Sequence, residues 1–567
     1  VLGTLGVLTV AATAVVATST SAAGAPDVQV AQQGTSTGDQ EYVVSFTGTP
    51  EGATAAIQAA GGTVESVTAQ VGMALVSSGD AAFLEEVRAR GGIGGAARNH
   101  AVGTARPGMP HRFAEERPSA GERGAGGPGR PDHPGGPDAE PLAGLQWDME
   151  MIGATPEGAH REATGKGVDV GIIDTGIDAS HPDLAPNVDA ERSRNFTTDI
   201  PEVDGPCEVA SCVDPADVDD NGHGTHVAGI VAGADNGFGI AGVAPEATLV
   251  NLRAGQDSGF FFLYETVAAL VHASDTGLDV VTLSFYTDPW LYNCSSREEY
   301  LEGTVTDEEL AQQRLVRDLV LDAVAYAHQR GVTLVGSAGN GHQDLAAPTR
   351  VDETSPDHPP DTARPRTVAN TCLNLPNEAP QVISVSAVGP STTKADYSDY
   401  GLGDVEIAAP GGWFRDFVGT PQYQVPGNLI LSSYPLDVAV AEGLADEDGD
   451  PVDEFSVEYC DPQGVCGFYT YLQGTSMAAP HVAGVAALVI EEGGRPTRHR
   501  GPALDPGTVA RVLAGSAQDH ACPAGGVEVY TDEERPPDWN AVCQGTTDVN
   551  GLHGEGIVDA EAAVLGR

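Results

Sequence analysis

Lysine is nearly missing from this chain. Lys166 and Lys394 are the only two in 567 residues, and 28 basic residues face 81 acidic ones for a formal charge of −53. A field this negative repels phosphates and anionic lipid surfaces, which argues against nucleic acid as a partner; it favours solubility and draws basic peptides. The imbalance reads equally as adaptation to salt or as a coding preference for Arg over Lys. No Cys-x-x-Cys spacing occurs among the eight cysteines, which disfavours a thiolate metal site. An even cysteine count suits disulfides in an oxidising compartment. Eight cysteines allow on the order of a hundred pairings. Proximity favours Cys207 with Cys212, Cys460 with Cys466, and Cys522 with Cys543, leaving Cys294 for Cys372.

Long apolar runs are equally scarce. Residues 1–25 carry no charge and end in the small residues Ser21, Ala22 and Ala23, the pattern of a secretory signal that begins upstream of Val1. Thr4, Thr9, Thr13 and the run 18–21 weaken a membrane-helix reading. No other stretch has the length to cross a bilayer, so a mature form without a stable membrane span is expected. Residues 26–104 hold a compact alternation: a strand at 42–46, a helix at 51–60, two strands within 63–76 and a helix at 81–90. Residues 105–142, rich in Pro, Gly, Arg and Glu, read as a flexible linker. The remainder, 143–567, forms the main domain.

That domain carries the chemistry. Residues 474–484 read Gly-Thr-Ser-Met-Ala-Ala-Pro-His-Val-Ala-Gly and lead into a run that is small and apolar all round, as in a helix sunk in a core. Ser476 then sits at the positive end of that helix, where backbone N–H groups favour a developing oxyanion. Pro480 is tolerable so near a helix start. A serine hydroxyl needs a base, and residues 221–229 supply His223 in Asn-Gly-His-Gly-Thr-His-Val-Ala-Gly. An apolar strand at 168–173 delivers Asp174 into a Thr-Gly turn, where a carboxylate could orient the imidazole. Singly, each has a plainer reading: a turn Asp, an N-cap serine, or a metal-binding histidine pair that lacks the zincin Glu. Together those plain readings require three coincidences.

The order Asp, His, Ser in these flanking strings resembles the subtilisin-like serine proteases, over roughly residues 146–563 with long insertions. The resemblance implies that Asn340, after the strand 331–335, joins the Ser476 backbone N–H in an oxyanion hole. It implies an extended peptide pairing with exposed backbone at 256–259, 284–286 and 337–339, which names Ser258, Gly259, Ser284, Phe285, Tyr286, Ser337, Ala338 and Gly339 as substrate-binding residues. Where the family commonly has Ser-Leu-Gly, this chain has Ser284-Phe285-Tyr286; the two aromatics either shape the pocket or are ordinary packing. It further implies a structural calcium held by Asp183, the Asn236 side chain and the carbonyls of Ala234, Phe238 and Ile240, with no clear counterpart for the family's N-terminal ligand. The acidic run 446–450 reads as a solvated loop. Residues 26–104 then correspond to an inhibitory prodomain acting on its own enzyme.

The fold expected is α/β, a mostly parallel sheet with helices on both faces, preceded by the small α+β prodomain. Strands at 168–173, 248–253, 280–284, 332–336 and 382–388 alternate with helices such as 264–274 and 308–329. The site should lie at the strands' carboxyl ends. Three insertions, 287–313, 342–380 and 414–471, are expected to restrict access to the cleft. The reading is a secreted, self-processing serine endopeptidase acting on protein or peptide substrates through an acyl-enzyme. Because its base must be neutral, activity should fall below the ordinary imidazole pKa of about 6.5. A silent binding module is opposed by the four intact residues. A non-peptidase serine hydrolase is opposed by the missing Gly-x-Ser-x-Gly elbow at 474–478.

Overall fold

A computed structural model describes residues 40–99, 117, 140–496 and 501–566. The expected signal, residues 1–25, and nearly all of the linker lie outside the described residues. The N-terminal unit runs β1 (Gln40–Phe46), α1 (Pro50–Ala59), β2 (Thr63–Thr68), β3 (Met73–Ser78), α2 (Phe83–Arg88) and β4 (Ile93–Arg98). Its strands form an antiparallel sheet in the order β2-β3-β1-β4. Helix α1 starts where Thr49 accepts a hydrogen bond from Gly52 N and Pro50 takes the first turn, a position that needs no N–H donor.

The main domain continues with α3 (Trp147–Met151), β5 (Asp169–Asp174), β6 (Arg194–Asn195), α4 (His223–Ala232), β7 (Thr248–Arg253), α5 (Leu263–Thr276) and β8 (Val280–Leu283). Then come β9 (Tyr300–Glu302), α6 (Asp307–Gln329), β10 (Thr333–Ser337), β11 (Thr349–Asp352), β12 (Arg366–Ala369), β13 (Val382–Val388) and β14 (Ile407–Pro410). The last part includes β15 (Ile430–Tyr434), α7 (Leu436–Ala441), β16 (Ser456–Cys460), β17 (Cys466–Leu472) and α8 (Thr475–Gly493). A seven-stranded sheet runs β14-β13-β10-β8-β5-β7-β6, and every pairing in it is parallel. Side chains alternate across it. Val170 and Ile172 join α4 and α8 in one apolar cluster, while Ile173, Val250 and Leu252 join α5 and α6 in another. The sheet is therefore buried on both faces, and the expected α/β architecture is what the chain adopts.

Register sets the site. Ile173 pairs with Leu283 and Leu283 with Gly336, so Asp174, Ser284 and Ser337 end up side by side at one carboxyl edge. All four proposed disulfides are present. Cys294–Cys372 ties the first two insertions together, and these share a small sheet in the order β11-β12-β9. The third insertion builds the antiparallel sheet β15-β17-β16. Its packing gives it a structural part in the domain: Ser432 Oγ donates to His226 O at 2.7 Å and Tyr434 Oη to Asn221 O at 3.0 Å. The acidic run 446–450 closes an exposed turn, with Asp446 Oδ1 accepting from Asp448 N and Asp450 N at 3.0 Å each.

Candidate active site

Asp174 ends β5 fully buried. Its Oδ1 lies 2.7 Å from His223 Nδ1 and accepts from Thr175 N at 2.8 Å. Burial raises the Asp174 pKa, while the charge and hydrogen bond of His223 oppose that rise. His223 opens α4 after Gly222, which holds φ +96°, a left-handed conformation that favours glycine. A β-carbon on Gly224 would fall 2.2 Å from Gly176 O, so only glycine lets α4 approach the Asp174 turn this closely.

A residue that the sequence reading passed over organises this junction. Buried Asp219 accepts through Oδ1 from Thr175 Oγ1, Asn221 N and Gly222 N at 3.0, 3.1 and 3.0 Å. Through Oδ2 it accepts from Thr225 N and Oγ1 at 2.9 and 2.6 Å. A carboxylate at a helix N-terminus satisfies orphan donors and complements the dipole. Its signal in the sequence was an acidic residue four positions before His223. The second histidine of the motif, His226, is committed to the third insertion. Its Nε2 faces the carbonyls of Ile430 and Thr470 at 3.2 and 3.1 Å, and burial pushes its pKa down to about 3.

Ser476 lies in the first turn of α8, 4% exposed. Its Oγ is 3.5 Å from Ser284 O, and Ser284 Oγ donates to Ser476 O at 3.1 Å. Pro480 makes the second bond possible, because a proline four residues on has no N–H to occupy that carbonyl. Asn340 is tied to the residue before the serine: its Oδ1 accepts from Thr475 N and Thr475 Oγ1, both at 2.9 Å. Gly339 N donates to Thr475 Oγ1 at 3.1 Å. Thr475 thus fixes the Asn340 amide, a role the sequence did not disclose. The structure brings Asp174 to His223, and Ser476 and Asn340 to the neighbouring strand ends of the same edge.

The other named residues border this edge. Ser258 donates through N and Oγ to Asp204 Oδ1 at 3.1 and 2.7 Å, and Gly259 N to Gln256 O at 2.8 Å. Ala338 N is committed to Val385 O at 2.9 Å, and Ser337 ends β10. Phe285 is buried and stacks on Phe261 with ring centroids 4.0 Å apart. Tyr286, half-buried, donates through its hydroxyl to Asp357 in the second insertion.

Asp183 is buried against the loop after α4. Its Oδ2 accepts from Ile240 N at 3.0 Å and Tyr469 Oη at 2.7 Å, and Ala234 N donates to Asp183 O at 2.8 Å. The exposed Asn236 donates Nδ2 to Pro182 O at 3.1 Å, and Phe238 packs beside Tyr459. Glu140 also reaches this loop, its Oε1 accepting from Gly237 N at 2.8 Å. Its sequence signal was faint, an acidic residue six positions before Gln146. Glu140 Oε2 and Asp183 Oδ1 are buried without a hydrogen-bond partner, and burial raises both groups to about 7. Two orphaned carboxylate oxygens beside this loop fit a hard cation.

The N-terminal unit docks on α5 and α6. Asn99 Oδ1 accepts from Tyr264 N at 3.0 Å, supplying a cap that α5 lacks within its own domain, and Asn99 Nδ2 reaches Glu265 at 3.0 and 3.1 Å. Ser66 Oγ meets Tyr264 Oη at 2.7 Å, and Gln70 donates to Asp275 at 2.6 Å. Val43, Met73 and Ala97 join the α5–α6 cluster.

The fold is α/β, with Asp174, His223, Ser476 and Asn340 at one edge of its parallel sheet. A family model described as the subtilase family matches residues 165–526. The chain belongs to that family, and its enzyme class is that of the serine endopeptidases. Thermitase of Thermoactinomyces vulgaris is 29% identical over 332 residues, covering 58% of this chain and 77% of its own. Subtilisin DY of Bacillus licheniformis is 28% identical over 328 residues, covering 58% and 78%. Among solved structures, the epidermin leader peptide processing serine protease of Staphylococcus aureus shares the fold with a TM-score of 0.59. It covers 93% of this chain and 98% of its own at 18% identity. Among the described residues no helix is long and apolar enough to cross a membrane.

Proposed function

We propose that the protein is a secreted serine endopeptidase, made as a precursor that cleaves itself, with Asp174, His223 and Ser476 as its triad. The observation that carries the reading is the buried 2.7 Å contact between Asp174 and His223, at the same sheet edge as Ser476 and Asn340. His223 accepts the Ser476 hydroxyl proton as Oγ attacks the peptide carbonyl. Asp174 holds the imidazole tautomer and stabilises the imidazolium that forms. The oxyanion is met by the Ser476 backbone N–H and by Asn340 Nδ2, whose amide Thr475 orients. The imidazolium returns its proton to the leaving amine, the acyl-enzyme C–O bond remains, and water reverses the sequence through the same base. An extended peptide substrate would lie along 256–259 and 284–286.

Glu140, Asp183, Asn236 and the carbonyls of Ala234, Phe238 and Ile240 would hold a structural calcium, whose chemistry is to neutralise two buried carboxylates and brace the loop after α4. Residues 26–104 would act as the intramolecular inhibitor; the Asn99 cap on α5 and the apolar contacts of Met73 support this. Four disulfides and the apolar start of the chain support export. The test is to express the precursor with and without Ser476→Ala and sequence the N-termini. A new N-terminus within or before 105–142 in the active chain alone is expected. Identical processing in both chains would overturn self-cleavage.

A further inference from the structure

A residue of the linker is held at the entry to the histidine helix. Arg117 lays its guanidinium over the ring of Tyr434, 5.2 Å from the centroid. It donates to the Tyr434 hydroxyl and pairs with Glu442 Oε2 at 2.8 Å. Both partners belong to the third insertion: Tyr434 ends β15 and Glu442 follows α7. The same hydroxyl lies 2.9 Å from Glu442 Oε2 and 3.0 Å from Asn221 O, and Asn221 stands two residues before His223. After burial and the charge of His223, the charge of Arg117 helps to hold His226 neutral, so the guanidinium sits close against α4.

Two features suit this place to a guanidinium. Glu442 stands at the C-terminal end of α7, where the helix dipole disfavours negative charge, and the last turn of that helix carries no basic residue. The Tyr434 hydroxyl has one hydrogen to share between two acceptors, so either the Glu442 carboxylate or the Asn221 carbonyl falls short of a donor. A guanidinium presents five N–H groups and a flat face; it answers the carboxylate while lying over the tyrosine ring. The Arg117 and Glu442 side chains are 19% and 22% exposed, so the place is recessed without being sealed. Loss of the linker leaves this carboxylate without its cation, beside the helix that His223 opens.

We infer that Tyr434 and Glu442 form an arginine subsite of the cleft, filled by Arg117 in the precursor and by an arginine of the substrate in the mature enzyme. The inference rests on the endopeptidase reading and adds to it the class of peptide preferred, one with arginine at a fixed position near the scissile bond. Connectivity places the subsite. In a parallel sheet the helices that follow strands start at the carboxyl edge; Arg117 is fixed at the start of α4, as Asn99 is at the start of α5. The precursor chain is thus fastened at two points along the edge that holds Ser476. The third insertion then contributes recognition as well as packing, and the negative field of the chain draws basic peptides toward it.

Two measurements test this. In the full chain carrying Ser476→Ala, Arg117→Gln and Glu442→Gln are compared singly and together by thermal melting. The double variant should lose less than the sum of the single changes; strict additivity overturns the contact and the inference with it. In the self-processed enzyme, kcat/KM is measured on peptides in which arginine is walked through each position flanking the scissile bond. Each peptide has a twin carrying citrulline, which keeps the shape and loses the charge. At one position the arginine peptide should be cleaved about tenfold faster than its twin. Glu442→Gln should bring that ratio close to one, and Glu442→Arg should turn it below one. Equal cleavage of both twins at every position, or a ratio that survives Glu442→Gln, overturns the arginine subsite and leaves the endopeptidase reading standing. A chain that cleaves neither twin and leaves casein intact overturns that reading and the subsite together.

Discussion

The ring of Tyr434 lies directly over Gly222: a β-carbon at 222 would fall 2.3 Å from the tyrosine Cζ. Tyr434 belongs to the third insertion and Gly222 immediately precedes His223, so the insertion constrains the entry to the histidine helix. Gly222→Ala combines that clash with a left-handed φ of +96°. It should cost about 1–3 kcal/mol of stability and lower kcat/KM, since His223 follows directly. The double variant with Tyr434→Ala should lose less than the sum of the single changes, because the clash is then gone. Strict additivity in denaturant melts would show that the ring contact is immaterial.

Asn340 offers a split between binding and chemistry. Its proposed role is confined to the transition state, so Asn340→Ala should lower kcat about 10²–10³-fold, with KM little changed. That magnitude is the one known for subtilisin's own oxyanion-hole asparagine and is carried over from it. Thr475→Val should produce a smaller loss of the same kind, because it frees the Asn340 amide to rotate. An equal rise in KM would instead assign Asn340 to substrate binding.

Cys294 and Cys372 lie 78 residues apart. Constraining so long a loop is worth about 2–4 kcal/mol. Replacing both by serine should cost that much in the Ser476→Ala background and expose 342–380 to added trypsin, because the bond joins the first two insertions beside β9 and β12. Unchanged melting and proteolysis would show that the shared sheet suffices.

Asp399 gives the pH dependence. It is buried, accepts from Gln343 N at 2.7 Å and packs on Gly339. Burial and the nearby Glu378 raise it to about 7, against the pull of Lys394 and Arg350. A carboxyl raised on folding holds a proton that the unfolded chain releases. Its contribution is therefore complete below the ordinary carboxylate pKa of about 4 and is lost as pH rises through 7. Asp399→Asn should flatten the decline in thermal stability between about pH 4 and 7 by up to ~1.4 kcal/mol per pH unit. An unaltered slope would show that Asp399 does not titrate in that window.

Much of this fold was legible because its strands are buried on both faces. The runs at 248–253 and 382–388 coincide with β7 and β13, and β5, β8 and β10 differ from expectation by a residue at their ends. The apolar helix after Ser476 was as plain. What escaped depended on distant partners. β4 holds two glycines and gains its meaning only from β1 and Leu315, and β14 is four residues recognised through β13. The third insertion was expected to limit access to the cleft; it also packs on His226 O and Asp183. No local pattern indicates where a β-hairpin in an insertion will dock. Glu140 and Asp219 are single acidic residues among 81, set apart only by the company that folding gives them.

The central claim is that Asp174, His223 and Ser476 work as one unit. A fluorophosphonate probe, followed by peptide mass mapping of the folded enzyme, tests it most directly. The account predicts one adduct, on Ser476, abolished by His223→Ala, slowed by Asp174→Asn, and matched by loss of casein hydrolysis. A chain that digests casein with Ser476 unmodified, or that labels equally well without His223, would contradict it.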